Sequence, residues 1–237
     1  FSIPDGSRIA KGKSIANLLR LQPGESIASI LSVREFEEDK FVMVATERGI
    51  VKKTSLMAYS KSRQGGIIGL TIDKGDRVIG AELCDGESDI LLATEKGFSI
   101  RFSEKEVRPI GRTGRGVRGI RLKKEDRVVG AEIVQPGNKF LTVTSKGYGK
   151  RTRMEEYPVQ GRGGLGVMTI RCNEKIGTVV GVQQVDEADQ LLVITSNGNI
   201  VRMRVNEISV IGRNTQGVRL VGIGEGNQVV SIEKLVE

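Results

Sequence analysis

A four-residue corner, Thr-x-x-Gly, returns four times along the chain, as Thr46–Gly49, Thr94–Gly97, Thr144–Gly147 and Thr195–Gly198. Successive threonines lie 48, 50 and 51 residues apart. A period near 50 marks one supersecondary unit stacked on copies of itself, as in propellers and other arrays. In a chain of 237 residues it argues for one array rather than two independent cores.

Each unit opens on a short apolar run: Phe41–Ala45, Ile90–Ala93, Phe140–Val143 or Leu191–Ile194. These runs are rich in β-formers and are expected as inner, fully buried strands. The corner glycine can take positive φ, which predicts a tight hairpin and gives that glycine a turn role only. The returning strand, Ile50–Lys53, Phe98–Arg101, Tyr148–Arg151 or Ile200–Met203, carries at least one Lys or Arg each time. A polar connection of about a dozen residues follows, then a loop of glycine and arginine at Arg63–Gly66, Gly111–Gly116, Gly161–Gly164 and Gly212–Gly217. A third strand is expected at Ile67–Ile72, Val117–Leu122, Gly166–Ile170 and Val218–Ile223. A fourth is expected at Arg77–Leu83, Arg127–Ile133, Thr178–Val182 and Gln228–Ile232. Four strands per unit is the content of a propeller blade, so the fold class is all-β.

Residues 1–39 read as a unit that lacks its hairpin. Ser7–Gly12 takes the loop position, Ser14–Leu18 the third strand and Ser26–Leu31 the fourth. The expected organisation is a single domain over 1–237. It has a partial blade at 1–39 and blades near 40–87, 88–137, 138–188 and 189–237, about five in all.

The formal net charge is +8 and the isoelectric point about 9.6. Equivalent positions in an array share radius and height, so a cation repeated at one phase becomes a belt. The expected belt holds Arg8, Lys11, Lys13, Lys52, Lys53, Arg63, Arg101, Arg112, Arg115, Arg118, Lys150, Arg151, Arg162, Arg202, Arg204 and Arg213. Glycine beside arginine lets a phosphate reach backbone N–H groups as well as the guanidinium. The bland reading, a solvated strand face, weakens when the same residue type recurs at the same phase. Acidic residues also keep fixed phases (Glu47 and Glu95, Glu82 and Glu132, Asp76 and Asp126), which predicts charge segregated onto separate faces.

A curved basic belt suits the duplex backbone, where counterion release dominates affinity, in a sequence-independent bending mode. No helix or ribbon suited to base reading is evident. With three Tyr, six Phe and no Trp, the stacking platforms of single-strand binders are lacking. The alternative is a protein-interaction propeller of the regulator-of-chromosome-condensation or WD40 kind; the chain lacks WD and GH signatures.

Histidine is absent, which removes His-based acid–base chemistry, Ser-His triads and the common zinc sites. Cys84 and Cys172 lie in different units without CxxC partners and are expected reduced, a pair between them being the alternative. No apolar run approaches the ~20 residues of a membrane helix, and no signal-peptide pattern is present, so a cytoplasmic location without membrane contact is expected. With no paired carboxylates or activated nucleophile, no catalysis, metal or cofactor is expected of this chain alone.

Five stretches resemble the C-terminal domain of the DNA gyrase A subunit. They are Ile3–Lys13, Gly49–Thr54, Phe102–Arg112, Gly147–Thr152 and Ile208–Val218, and their order matches the family's second to sixth blades. The resemblance spans essentially the whole chain. It implies a six-bladed β-pinwheel, a propeller-like array whose blades exchange strands, that bends duplex DNA around its rim. It further implies two protein partners, the gyrase B subunit together with the remainder of the gyrase A subunit. ATP and Mg serve only the holoenzyme, whose ATP-driven strand passage introduces negative supercoils. The related topoisomerase IV subunit has a shorter, more variable version, and the long regular array here favours gyrase.

The breakage-reunion tyrosine would belong to other parts of that protein, and Tyr59, Tyr148 and Tyr157 have no support as nucleophiles. One departure stands out. The family's first-blade signature, Q-R-R-G-G-K-G, has no intact copy. The nearest string, Gln160–Gly166, has Gly161 and Leu165 where the signature is basic, and its phase puts it in a later blade. A chain without that blade is expected to wrap DNA incompletely by itself.

Overall fold

A computed structural model describes residues 6–7, 9–12, 14, 19, 21–22, 24–61 and 66–235. It is all-β, with four sheets in a propeller-like array. The first hairpin is β1 (Phe41–Thr46) and β2 (Ile50–Ser55), with β3 (Val78–Cys84) on the far side of β1. The second sheet holds β4 (Asp89–Thr94), β5 (Phe98–Ser103) and β7 (Val128–Ile133). The third holds β8 (Lys139–Thr144), β9 (Tyr148–Arg153) and β11 (Val179–Val185). The fourth holds β12 (Gln190–Thr195), β13 (Ile200–Arg204) and β15 (Val229–Leu235).

The remaining strands, β6 (Val117–Arg118), β10 (Val167–Met168) and β14 (Val218–Arg219), each complete the sheet of the preceding unit. They pair with β2, β5 and β9 respectively. The blades therefore exchange strands, as the resemblance implies. Two expectations are corrected. The third strand does not belong to its own unit's sheet, and it is two residues long rather than five or six. Ile67–Ile72 forms no strand, because such a segment pairs only with the return strand of the unit before it, and none lies among the described residues. Ser26–Leu31 forms none either, since a fourth strand pairs with the first strand of its own hairpin. Ser14–Leu18 falls largely outside the described residues. The polar connections contain short 3-10 turns at Leu56–Tyr59, Glu104–Glu106, Met154–Glu156 and Val205–Glu207, which the repeat pattern does not announce.

The first strand of each hairpin reads as an apolar run because both its faces are buried, each against a different neighbour. Ile90 and Leu92 point into the core shared with the first unit, beside Met43, Val51 and Val128. Leu91, between them, points into the next core with Phe140, Tyr157 and Ile170. Phe140 and Tyr157 meet edge to face at 5.4 Å. Leu141 and Val143 turn to a third core with Leu191, Val193 and Val229. Each core is thus an interface between units, worth about 1.5–3 kcal/mol per fully buried large apolar side chain. The inner strands β3, β7, β11 and β15 pack against one another in succession, so β6, β10 and β14 lie at the sheets' outer edges.

The corner does more than turn the chain. Gly97 sits at φ +83°. Its carbonyl accepts from Thr169 N at 2.8 Å and Ile170 N at 3.2 Å, both in the next unit. The Gly49 and Gly147 carbonyls receive Gly119 and Leu220 in the same way, each at 2.8 Å. A Cβ on Gly97 would stand 2.3 Å from the Ile170 carbonyl oxygen, whereas one on Gly198, also at φ +83°, would meet nothing within 4 Å. Gly198→Ala should cost about the 1–2 kcal/mol of left-handed strain alone. Gly97→Ala should cost at least about twice that, because the next unit must shift as well. Matched thermal melts of the two variants check this, and equal losses would contradict the docking role.

Candidate nucleic-acid interface

On β2, β5 and β9 the recurring cations of the return strands turn inward. Lys53 Nζ lies 3.1 Å from Glu104 Oε1 and donates to the Glu104 carbonyl at 3.1 Å, and both side chains are buried. Arg101 pairs with Asp89 at 2.8 Å and donates to the carbonyls of Met154 at 3.1 Å and Tyr157 at 3.4 Å. Arg151 pairs with Glu187 at 2.6 Å and donates to the carbonyls of Ile208 at 2.7 Å and Asn206 at 3.3 Å. In all three cases the cation of one unit is bonded to the 3-10 turn of the next.

One residue earlier on β2 and β9, Lys52 donates to the carbonyls of Gly69 at 2.7 Å and Arg112. Lys150 donates to the carbonyls of Gly212 and Arg213 and, at 3.0 Å, to Thr215 Oγ1. Burial pulls both ammonium pKa values down. Lys150 falls to about 8, with Glu156 opposing and the Arg213 charge reinforcing; for Lys52 the Arg112 charge adds to burial.

Lys52, Lys53, Lys150 and Arg151 are 4% exposed or less, and Arg101 is mostly covered. They therefore cannot serve as the outward-facing belt expected of them. The physical reason is the double burial of the hairpin strands. A charge placed between two sheets must be bonded there or not be there at all.

The loops of glycine and arginine lie along the edge strands. Arg112, Arg162 and Arg213 each donate Nη1 to a carbonyl of the preceding unit's third segment, at Ile68, Arg118 and Met168, over 2.9, 3.2 and 2.9 Å. Glu106 and Glu156 receive the backbone N–H of Arg162 at 3.0 Å and of Arg213 at 3.1 Å. On and beside this framework stand exposed cations: Arg118 on β6, Arg219 on β14, and Arg115, Arg121, Arg162 and Arg171 in the flanking loops.

Arg115 pairs with Asp73 at 2.9 Å, with both groups exposed. Arg171 Nη2 donates to Asn214 Oδ1 at 3.0 Å, and Arg219 Nη2 to the Tyr148 hydroxyl at 3.2 Å. Arg202 and Arg204 are exposed on β13, Arg202 bonded to Gln190 and Arg204 4.0 Å from Glu207. Lys11 is exposed. Arg8, Lys13 and Arg63 lie outside the described residues. Arg121, Arg171 and Arg219 were not among the expected positions. For Arg219 the signal was present, since Val218-Arg219 repeats Val117-Arg118 at the same phase.

Two further carboxylates lie on the inner strands. Glu82 accepts from Ile133 N at 2.9 Å on the inner strands, and Glu132 from Gln184 N and Nε2 at 3.3 and 3.2 Å. Burial raises both pKa values; Glu132 reaches about 7, the Glu82 charge adding to the effect. At the corners Arg127 ties Glu47 at 3.0 Å to Glu95 at 2.9 Å. Cys84 and Cys172 are free thiols, the first buried.

Two outcomes follow. Lys53→Met strands the Glu104 carboxylate in a dry interface and should cost about 3–5 kcal/mol in denaturant melts. Adding Glu104→Gln should recover part of the loss. The raised carboxyl of Glu132 keeps its proton in the folded chain while the unfolded chain has released it. Its contribution is therefore whole below the ordinary 4.5 and is lost as pH rises through about 7. Stability should fall from about pH 5 to about pH 8, and Glu132→Gln should flatten that fall. A slope unchanged by the substitution would contradict the assignment.

The chain matches the family described as DNA gyrase C-terminal domain, beta-propeller, over residues 2–34, 40–85, 88–135, 138–186 and 189–235. It is 54% identical over 237 residues to the DNA gyrase A subunit of Buchnera aphidicola, covering 100% of this chain and 29% of that protein. It is 46% identical to the Salmonella typhimurium protein of the same name, covering 100% of this chain and 27% of the relative. The chain thus spans under a third of the length of these curated relatives. Among solved structures, a C-terminal domain of DNA topoisomerase IV superposes with TM-score 0.88 at 26% identity, over 94% of this chain and 70% of that one. A DNA gyrase A C-terminal domain superposes with TM-score 0.86 at 24% identity, over 96% and 76%, and shares the fold.

Proposed function

The chain belongs to the DNA gyrase C-terminal domain family, and on that footing we propose that it binds and bends duplex DNA along its outer edge strands. The observation that carries this reading is the placement of Arg118 and Arg219, exposed at equivalent positions of β6 and β14, with Arg121, Arg162 and Arg171 beside them. Guanidinium groups spaced by a structural repeat suit a phosphate backbone and carry no base-reading geometry. In the assembled enzyme, which would join the gyrase B subunit to the rest of the gyrase A subunit, the bent segment would be offered for ATP-driven strand passage that introduces negative supercoils. Catalysis, ATP and Mg would lie outside this chain.

Titrating this chain with a linear duplex across a salt series tests the reading. Log affinity should fall with log salt by about 0.9 for each phosphate neutralised. Arg118→Ala with Arg219→Ala should make that slope shallower by roughly two such increments. A flat dependence, or no duplex binding at low salt, would favour a protein-interaction surface instead.

A further inference from the structure

Lys150 and Lys52 are charged groups that no external ligand can reach, yet each is bonded to a loop that leads into an exposed arginine. We infer that both are positioning residues for duplex DNA: their ammonium groups hold the glycine–arginine loops in the shape that sets Arg219 and Arg118 toward phosphate. The inference rests on the DNA-binding reading above and adds the residues that shape the surface without touching the ligand.

An ammonium offers three N–H donors, and the Lys150 contacts account for three: Gly212 O, Arg213 O and Thr215 Oγ1. Thr215 closes the turn from the other side, donating Oγ1 to the Gly212 carbonyl and N to the Arg213 carbonyl, each at 2.9 Å. The carbonyl dipoles thus converge on one buried cation, and without it they would repel, each keeping a single donor from Thr215. Arg171 hangs on this turn through its N–H to Thr215 O at 2.8 Å and its guanidinium to Asn214. Gly217 then lies so close to β9 that a Cβ would stand 2.6 Å from the Gly149 carbonyl oxygen. Val218 and Arg219 pair directly with Gly149 and Tyr148. Three consecutive residues of β9 therefore fix the loop and the edge arginine together.

Comparison of the three junctions separates this role from a general need of the fold. Lys52 holds the loop that runs into Arg118. At the middle junction Ile100 occupies the lysine's phase; a Cβ on Gly164 of that loop would lie 3.5 Å from Ile100 Cδ1, and the edge residue is Met168. The same strand exchange forms there without a lysine. Lysine and edge arginine occur together, and isoleucine goes with methionine.

Lys150→Met in this chain is the test, with a linear duplex of about 150 bp as probe. Affinity is read across salt, and amide hydrogen exchange is read at 212–219. Binding should weaken about tenfold, and the salt slope should become shallower by roughly 0.9–1.8, as Arg219 and Arg171 lose their phosphates. Exchange at 212–219 should speed up while β8 and β12 stay protected. In that background Arg219→Ala should cost less than it does in the parent chain, a coupling that a uniform loss of stability would not produce.

Parental affinity and slope despite faster exchange would overturn the inference, as would weaker binding with exchange unchanged. If Lys150→Met does not fold, Thr215→Val removes one acceptor of the ammonium and takes the same readouts. A parent chain that ignores the duplex defeats the DNA-binding reading and this inference with it. The parent's own salt curve tells that case from failure of the inference alone.

Discussion

Among the described residues, no sheet with four strands is completed by its own unit. The outer edge of each is supplied by two residues of the unit that follows, and the corner glycine's carbonyl receives the residues just after that edge. These few bonds make the array directional, since every unit accepts from the next. They also make the units interdependent, because the three apolar cores lie between units rather than within them. Stability in such an array is a sum over junctions, and a single unit has little core to fold around.

The same constraint divides the basic residues into two populations. Strands β2, β5 and β9 are covered on both faces, so a cation on them enters an interface and must find acceptors there. Lys53, Arg101 and Arg151 find them in the next unit's 3-10 turn, and Lys52 and Lys150 in the next unit's loop. The edge strands, the loops beside them and the uncovered β13 keep solvent on one side, and there the arginines are exposed. A net charge of +8 therefore overstates what a ligand meets, because several of its cations serve as internal donors.

Legibility follows the range of the interactions. The hairpins were plain in the sequence because apolar run, corner and return strand are contiguous, and the inner strands because they pair with their own hairpin. The third strands were overdrawn. The apolar residues of Val117–Leu122 suggest a long strand, but only Val117 and Arg118 reach β2, while Gly119 and Ile120 go on to bond Gly49 of the preceding unit. Lys52 and Lys150 were misread because a cation recurring at one phase of a strand usually marks a wet face, and here neither face is wet. Arg118 was found by its phase, and the same phase held Arg219. Gly97 could not have shown its second role locally, since the oxygen that excludes a Cβ belongs to Ile170.

Edge arginines carried on exchanged strands have a mechanical consequence. Arg118 is joined by the chain to the second unit but by its ladder to the first sheet, so the spacing between successive exposed edge arginines is set by the junctions. Bending a duplex of 20–30 bp through 40–90° costs on the order of 1–6 kcal/mol, and a protein that holds such a bend bears the reaction where its contacts are anchored. A two-residue ladder is a weak anchor by itself. The guanidinium locks of Arg112, Arg162 and Arg213 onto the neighbouring unit, and the lysine-held turns behind two of them, add charge-assisted bonds at those points. Cations bonded inside the junctions therefore stiffen the frame that presents the exposed ones, and the repeat keeps both kinds at fixed phase because they act on the same junction.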